Sequence, residues 1–310
     1  MIEKVFVLSD VDLVVFYGVN NSNLQLLKNL FPKLRIGMRG NTIKVLGSKE
    51  ETERFEEIMT RLEEHCSQFN SLSEATIIEI IKGDTPRELK VDNLIIYGIN
   101  GKAIVARTKN QQRLVDSYES NDLLFAIGPA GSGKTYTAIA LAVRALKNRE
   151  VRKIILSRPA VEAGEKLGFL PGDMKEKIDP YLQPLYDALE DMIPMPKLKE
   201  YMENKVIQIA PLAFMRGRTL GDAVIILDEA QNTTVPQLKM FLTRMGLNAK
   251  MIVTGDMTQI DLPSHTQSGL SFAMKILNDI PGISTVEFDK EDIVRHKLVQ
   301  RIVEAYEKNH

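Results

Sequence analysis

The sequence predicts an α/β protein: a doubly covered, mostly parallel sheet preceded by a small α+β unit. Three observations carry this. From Leu123 onward, six short apolar runs alternate with helical segments, the grammar of a buried parallel sheet. Before Leu123, strand-like and helix-like periodicities are interleaved. Between the first of the six runs and an amphipathic helix lies a glycine-rich turn. Composition agrees: 310 residues, 44% apolar and 26% charged, describe an ordinary globular chain of about two domains. The 40 Lys and Arg balance the 41 Asp and Glu, so no global charge marks a polyanion binder, although a local basic face stays open. The single cysteine, Cys66, excludes an intramolecular disulfide framework and a multi-cysteine zinc site. Cys66 beside His65 reads as neither ligand nor nucleophile, and the four scattered histidines have no paired ligand spacing. Met1–Leu13 carries Glu3, Asp10 and Asp12 without a small-residue cleavage pattern, so no signal peptide is expected. Apolar runs reach only about five residues, far short of the roughly 18 that suggest a membrane span, and the expected location is the cytoplasm.

In chain order, the apolar residues of Leu13–Tyr17 predict a strand. Asn21–Asn23 offer capping side chains before Leu24, Leu26, Leu27 and Leu30, a helical spacing closed by Pro32. Leu34, Ile36 and Met38 alternate with Arg35, Gly37 and Arg39; after Gly40-Asn41, Ile43 and Val45 continue, which predicts a hairpin. Ser48-Lys49-Glu50-Glu51 opens a helix with Phe55, Ile58, Met59 and Leu62 on one face. Asp84-Thr85-Pro86 breaks the pattern. Leu94–Tyr97 and Ala103–Ala106 flank Ile99-Asn100-Gly101, a second hairpin. The expected division is residues 1–85 as the small domain, 86–110 as a linker with a hairpin, and 111–310 as the α/β domain. Its strands are expected at Leu123–Ile127, Lys153–Ser157, Val206–Ala210, Ala223–Leu227, Lys250–Thr254 and Ser284–Phe288.

The run Gly128-Pro129-Ala130-Gly131-Ser132-Gly133-Lys134-Thr135 fits G-x-x-x-x-G-K-[ST] between a strand and a helix. Its glycines let successive backbone N–H groups cradle phosphate oxygens, helped by the helix N-terminus. Lys134 is placed for the β- and γ-phosphates of ATP and the Thr135 hydroxyl for Mg²⁺. Downstream, the apolar run Val224–Leu227 ends in Asp228-Glu229. Ligands of parallel sheets sit at the carboxyl ends of strands, which places Asp228 to hold Mg²⁺ and Glu229 to polarise an attacking water. The following run ends Val253-Thr254-Gly255-Asp256-Met257-Thr258-Gln259, where the Gln259 amide can touch the γ-phosphate or that water, and Asp256 can instead be a helix or turn cap. Lys28–Lys49 holds Lys28, Lys33, Arg35, Arg39, Lys44 and Lys49 and no acid. This hairpin can track a nucleic-acid backbone through Arg35, Arg39 and Lys44, or be a solvated edge strand with protective charges.

Asp228-Glu229-Ala230-Gln231 and Gly255-Asp256-x-x-Gln259 resemble motifs II and III of superfamily 1 helicases. With Ser157–Gly172, Met215–Leu220 and Val294–Val299, the run from about Thr108 to the C-terminus is identified as a member of the PhoH-like family of bacterial P-loop ATPases. The resemblance implies a RecA-like ATPase domain acting on RNA, in rRNA maturation beside an endoribonuclease. It implies that Gln111 reads the adenine edge and that Arg295 touches the γ-phosphate. Helicases hold ATP between two such domains, whereas this chain has room for one. A homo-oligomeric ring, a hexamer by analogy, in which a neighbour presents Arg295 or Arg218, would complete the site. The N-terminal helix–strand–strand–helix order is KH-like in outline but lacks the Gly-x-x-Gly loop between the helices. Two functions follow: an ATPase motor or remodeller on RNA, or a nucleotide-dependent assembly switch without motor activity. A small-molecule kinase fits less well, since Glu229 and Gln259 suit water activation.

Overall fold

The structure, a computed structural model, describes all residues except 10, 84–91, 160–173, 295–297, 300–301 and 303–310, and gives 174–179 as backbone. The break at Asp84-Thr85-Pro86, residues 160–172 of the family-like stretch, and Arg295 lie outside the described residues. The chain forms two compact units, Met1–Val105 with Glu190–Lys199, and Ala106–Leu189 with Glu200–His310.

The first unit begins with strand β1 (Ile2–Val7). The expected strand at Leu13–Tyr17 is instead helix α1 (Leu13–Tyr17). Asp12 Oδ1 accepts from Val14 N at 2.7 Å and Val15 N at 3.1 Å, and this cap overrides the strand preference of the β-branched pair. Helix α2 (Ser22–Leu30) follows, without the expected side-chain cap from Asn21. Asn23 is buried and its Nδ2 donates to Phe16 O at 3.1 Å and Leu72 O at 2.9 Å, tying α1 to a distant loop. Strands β2 (Arg35–Arg39) and β3 (Thr42–Gly47) form the expected hairpin, and the sheet order is β1-β3-β2, antiparallel throughout. Helix α3 (Lys49–Phe69) starts at Ser48, whose hydroxyl accepts from Glu51 N at 3.3 Å; α4 (Glu74–Lys82) follows. Ile43, Val45, Phe55, Leu62 and Ile77 are fully buried between sheet and helices, each contributing about 1.5–3 kcal/mol of burial free energy.

The second predicted hairpin forms from β4 (Leu94–Tyr97) and β5 (Ala103–Val105). Its turn puts Asn100 at φ 53° and Gly101 at φ 69°, left-handed values that suit an Asn-Gly pair. It belongs to the first unit, where Ile99 N donates to Asp191 O at 3.1 Å and Asn70 Nδ2 to Met192 O at 3.3 Å.

The second unit comprises α5 (Lys109–Ser120), β6 (Leu123–Ile127), α6 (Lys134–Lys147), β7 (Lys153–Arg158), and α7 (Met174–Glu190) up to Leu189. It resumes within α8 (Met195–Glu203) and continues with β8 (Ile207–Pro211), β9 (Ala223–Leu227), α9 (Val235–Leu242), β10 (Ala249–Gly255), α10 (Gly269–Leu277) and β11 (Ile283–Glu287). All six predicted strands are present within a residue or so. They join one parallel sheet in the order β11-β6-β10-β9-β7-β8. This is the RecA-like arrangement. Strand β10 lies between β6 and β9, so the carboxyl ends that carry the glycine-rich loop, Asp228 and Asp256 stand side by side. Fully buried Ile225, Leu227, Met251 and Val253 pack one sheet face against α9 and α10.

Candidate functional site

The glycine-rich loop leaves β6 at Gly128, where φ is 152° and an added Cβ would stand 2.3 Å from Phe288 O. Gly131 and Gly133 both have φ 82°, a conformation that side-chain-bearing residues rarely adopt. The loop delivers Lys134 to the first turn of α6. There Nζ donates to Gly128 O and Pro129 O, each at 2.8 Å, which holds the ammonium inside the loop. Burial lowers the Lys134 pKa, with Asp256, Asp228 and Glu229 opposing that effect.

Asp228 follows β9 and is 6% exposed. Its Oδ1 accepts from Thr135 Oγ1 at 2.6 Å and from Thr254 Oγ1 at 2.7 Å, joining the ends of α6, β9 and β10 at one oxygen. Thr135 and Asp228, assigned to Mg²⁺ from the sequence, are thus adjacent. Their hard oxygens suit Mg²⁺, which takes few protein ligands and completes its shell with phosphate and water. No group of three or more His, Cys, Asp or Glu side chains placed to hold a metal ion occurs among the described residues, and none is needed for that mode.

Asp256 is the turn cap that the sequence left open, and it does more. Its Oδ1 accepts from Thr258 N at 2.9 Å and from the Thr258 hydroxyl, while Oδ2 accepts from Ala130 N at 3.0 Å and Gln259 Nε2 at 2.7 Å. Burial pushes its pKa up. The Thr258 hydroxyl and amide, the Ala130 amide and Lys134 outweigh that and hold the carboxyl below its ordinary value. Gln259 is therefore brought to the loop through Asp256.

Glu229 sits at φ 53°, a left-handed conformation costing roughly 1–3 kcal/mol for a non-glycine residue. Its Oε1 accepts from Arg158 Nη2 at 3.1 Å and its Oε2 from Gln231 Nε2 at 2.6 Å. A cleft of about 220 Å³ lies among Gly131, Lys134, Thr135, Asp228, Glu229 and Gln259.

Gln111 is 6% exposed, which differs from a solvated helix-start glutamine. Its Oε1 accepts from Arg107 N at 2.8 Å and its Nε2 donates to Ser132 O at 2.9 Å, bracing the phosphate loop. Beside it, Asn110 Nδ2 donates to Asp292 Oδ2 at 2.8 Å, which ties α5 to the segment after β11. Arg218 is held by Gln208 Oε1 at 2.6 Å. In the first unit, strand alternation and register place Arg35, Arg39 and Lys44 on the outer sheet face, with β2 as an edge strand. Lys44 lies 3.5 Å from Glu3, Lys33 3.4 Å from Glu51 and Lys49 3.8 Å from Glu53, whereas Arg35 and Arg39 have no acidic partner among the described residues.

Sequence reasoning assigned no role to Arg158, Gln231, Thr254, Asn110 or Asp292. Gln231 and Arg158 stood inside the quoted motifs, but their roles depend on which strands are neighbours. Cys66 is buried.

A phosphate loop on one strand end, an Asp-Glu pair two strands away and a polar turn between them define a P-loop nucleoside triphosphatase of RecA-like fold. The family pattern described as "PhoH-like protein" matches residues 103–307, and the chain belongs to that family. It is 50% identical to a PhoH-like protein of Bacillus subtilis over 297 residues, 94% of this chain and 93% of that one. It is 48% identical to a PhoH-like protein of Mycobacterium tuberculosis over 302 residues, covering 95% and 85%. Protein PhoH of Escherichia coli is 46% identical over 205 residues, covering 66% of this chain and 58% of that one. Family membership supports ATP binding and hydrolysis. No helix among the described residues is long and apolar enough to cross a membrane.

Proposed function

We propose that the chain hydrolyses ATP with Mg²⁺ and couples hydrolysis to RNA binding or remodelling, with rRNA maturation beside an endoribonuclease as its setting. The observation that carries the hydrolytic part is the meeting of Thr135, Asp228 and Thr254 at one oxygen, with Glu229 next in the chain and lining the same cleft. The backbone amides of residues 130–135 and the Lys134 ammonium, once it leaves the loop carbonyls, bind the phosphates. Thr135 and Asp228, the latter directly or through water, would hold Mg²⁺, which would supply neutralisation of the negative charge that develops in phosphoryl transfer. Glu229 accepts the proton of the attacking water, and Gln259, held by Asp256, senses the γ-phosphate. Gln111 braces Ser132 and reads an adenine edge with the N–H and the lone pair that its two hydrogen bonds leave.

The RNA part is supported by the outer face of the β1-β3-β2 sheet, where Arg35 and Arg39 have no acidic partner among the described residues and Lys44 stands beside them. Arg295 is kept, on its motif alone, as the arginine that a neighbouring subunit supplies in a ring. The assembly-switch reading rests on the same site. Steady-state ATPase measured with and without single-stranded RNA decides between them: a remodeller is stimulated several-fold, and an unchanged rate over a saturating RNA range refutes the coupling.

A further inference from the structure

Arg158 is a half-buried cation with no hydrogen bond to the phosphate loop; its guanidinium hydrogen-bonds Glu229 and Tyr181 and stands at ion-pair distance from Asp228. It ends β7, which pairs in register with β9 so that Ser157 lies opposite Leu227 and Asp228 N donates to Ser157 O at 2.9 Å. That pairing brings Arg158 beside the acids that follow β9. Nη2 donates to Glu229 Oε1 at 3.1 Å, Nη1 donates to Tyr181 O at 2.8 Å, and Nε lies 3.9 Å from Asp228 Oδ2. The backbone carbonyl of Tyr181 is a fixed anchor, so the planar fork cannot turn without losing it. On the other side of the carboxylate, Gln231 Nε2 donates to Glu229 Oε2 at 2.6 Å and to Gln259 O at 3.2 Å, while Gln231 Oε1 accepts from Asp256 N at 3.0 Å. Gln231 is 1% exposed and both of its N–H donors are used.

We infer that Arg158 is a positioning residue for Glu229, acting with Gln231 as a two-sided clamp on the carboxylate. A carboxylate presents two lone-pair directions on each oxygen. The clamp takes one on each, which fixes the plane of a side chain that is otherwise 37% exposed and free to rotate. One direction on each oxygen is left for water and its proton. A general base works only when held at the proton it removes, and an unclamped glutamate on a cleft rim samples orientations that miss it. Arg158 thereby acts on turnover through Glu229 and not on nucleotide affinity. The inference rests on Glu229 being the base.

The test is a double-mutant cycle on the full chain, with turnover at saturating ATP and the affinity for a fluorescent ATP analogue measured for each variant. Arg158→Gln stays polar but is shorter and loses the charged fork, and is expected to lower kcat roughly 10- to 100-fold, the size of a charge-assisted hydrogen bond, with KM and analogue affinity within about twofold of wild type. Arg158→Lys, charged but unable to span Tyr181 O and Glu229 together, is expected to fall between the two. In the Glu229→Gln background, Arg158→Gln is expected to cost no further activity, because its route is already removed. Losses that multiply in the double variant, a parallel loss of analogue affinity, or full kcat in Arg158→Gln would each overturn the clamp. Full turnover by Glu229→Gln alone would instead remove the base assignment beneath it, so the two failures are told apart. Analogue binding and an unchanged thermal unfolding midpoint identify folded protein, and Gln231→Glu, which sets a second carboxylate against Glu229, tests the other jaw by the same kcat-against-KM split.

Discussion

Lys134 carries the one ammonium inside the phosphate loop, and its hydrogen bonds to Gly128 O and Pro129 O show what phosphate oxygens must replace. Lys134→Ala is expected to abolish hydrolysis and strongly weaken ATP binding, read by turnover and by analogue titration; full activity would end the nucleotide assignment. Glu229→Gln is expected to bind ATP normally and hydrolyse it at least about a hundredfold more slowly. Asp256 allows a pH prediction. Its folded pKa lies below the ordinary 3.8, so the stability it adds is present above that value and lost as pH falls through the lower folded value. Asp256→Asn should cost about 1–3 kcal/mol near neutrality, and its deficit against wild type should shrink in acid. Thermal unfolding of both proteins from roughly pH 7 down to pH 3 checks the sign.

Elements differ in how far the sequence reveals them. The four inner strands of the large sheet were legible because each is a short apolar run, and burial on both faces demands such a run, whereas the edge strands β8 and β11 are only half-buried. The strand order was not legible, since Leu123–Ile127 carries no mark saying that β10 and β11 are its neighbours. The loop, Asp228 and Glu229 could therefore be picked out by motif, while Arg158 could not, because it matters only once β7 lies against β9. Helix α1 escaped because one capping carboxylate at Asp12 outweighs a Val-Val pair. The basic hairpin was half legible: Lys28–Lys49 contains no acid, yet the fold brings Glu3, Glu51 and Glu53 to three of its cations. Reversing Arg35, Arg39 and Lys44 to Glu should weaken RNA binding and reduce the slope of log affinity against log salt by about 2, at about 0.7 per phosphate contact on single strands. An unchanged slope would reduce the hairpin to a protected edge.

At the scale of the molecule, the proposed ring predicts shared sites. Mixing Glu229→Gln chains with Arg295→Ala chains should restore activity where an intact Glu229 meets an intact Arg295 across an interface. Full ATPase activity from a protein that sediments only as a monomer with ATP would rule the ring out. The connectivity of the two units has a different consequence. Because Glu190–Lys199 belongs with Met1–Val105, the polypeptide passes from one unit to the other three times. Limited proteolysis at the first passage would not yield two independent bodies, since the downstream fragment still carries Asp191 and Met192, the acceptors of Ile99 N and Asn70 Nδ2. A gene split there should give halves that are poorly behaved apart and recover when co-expressed.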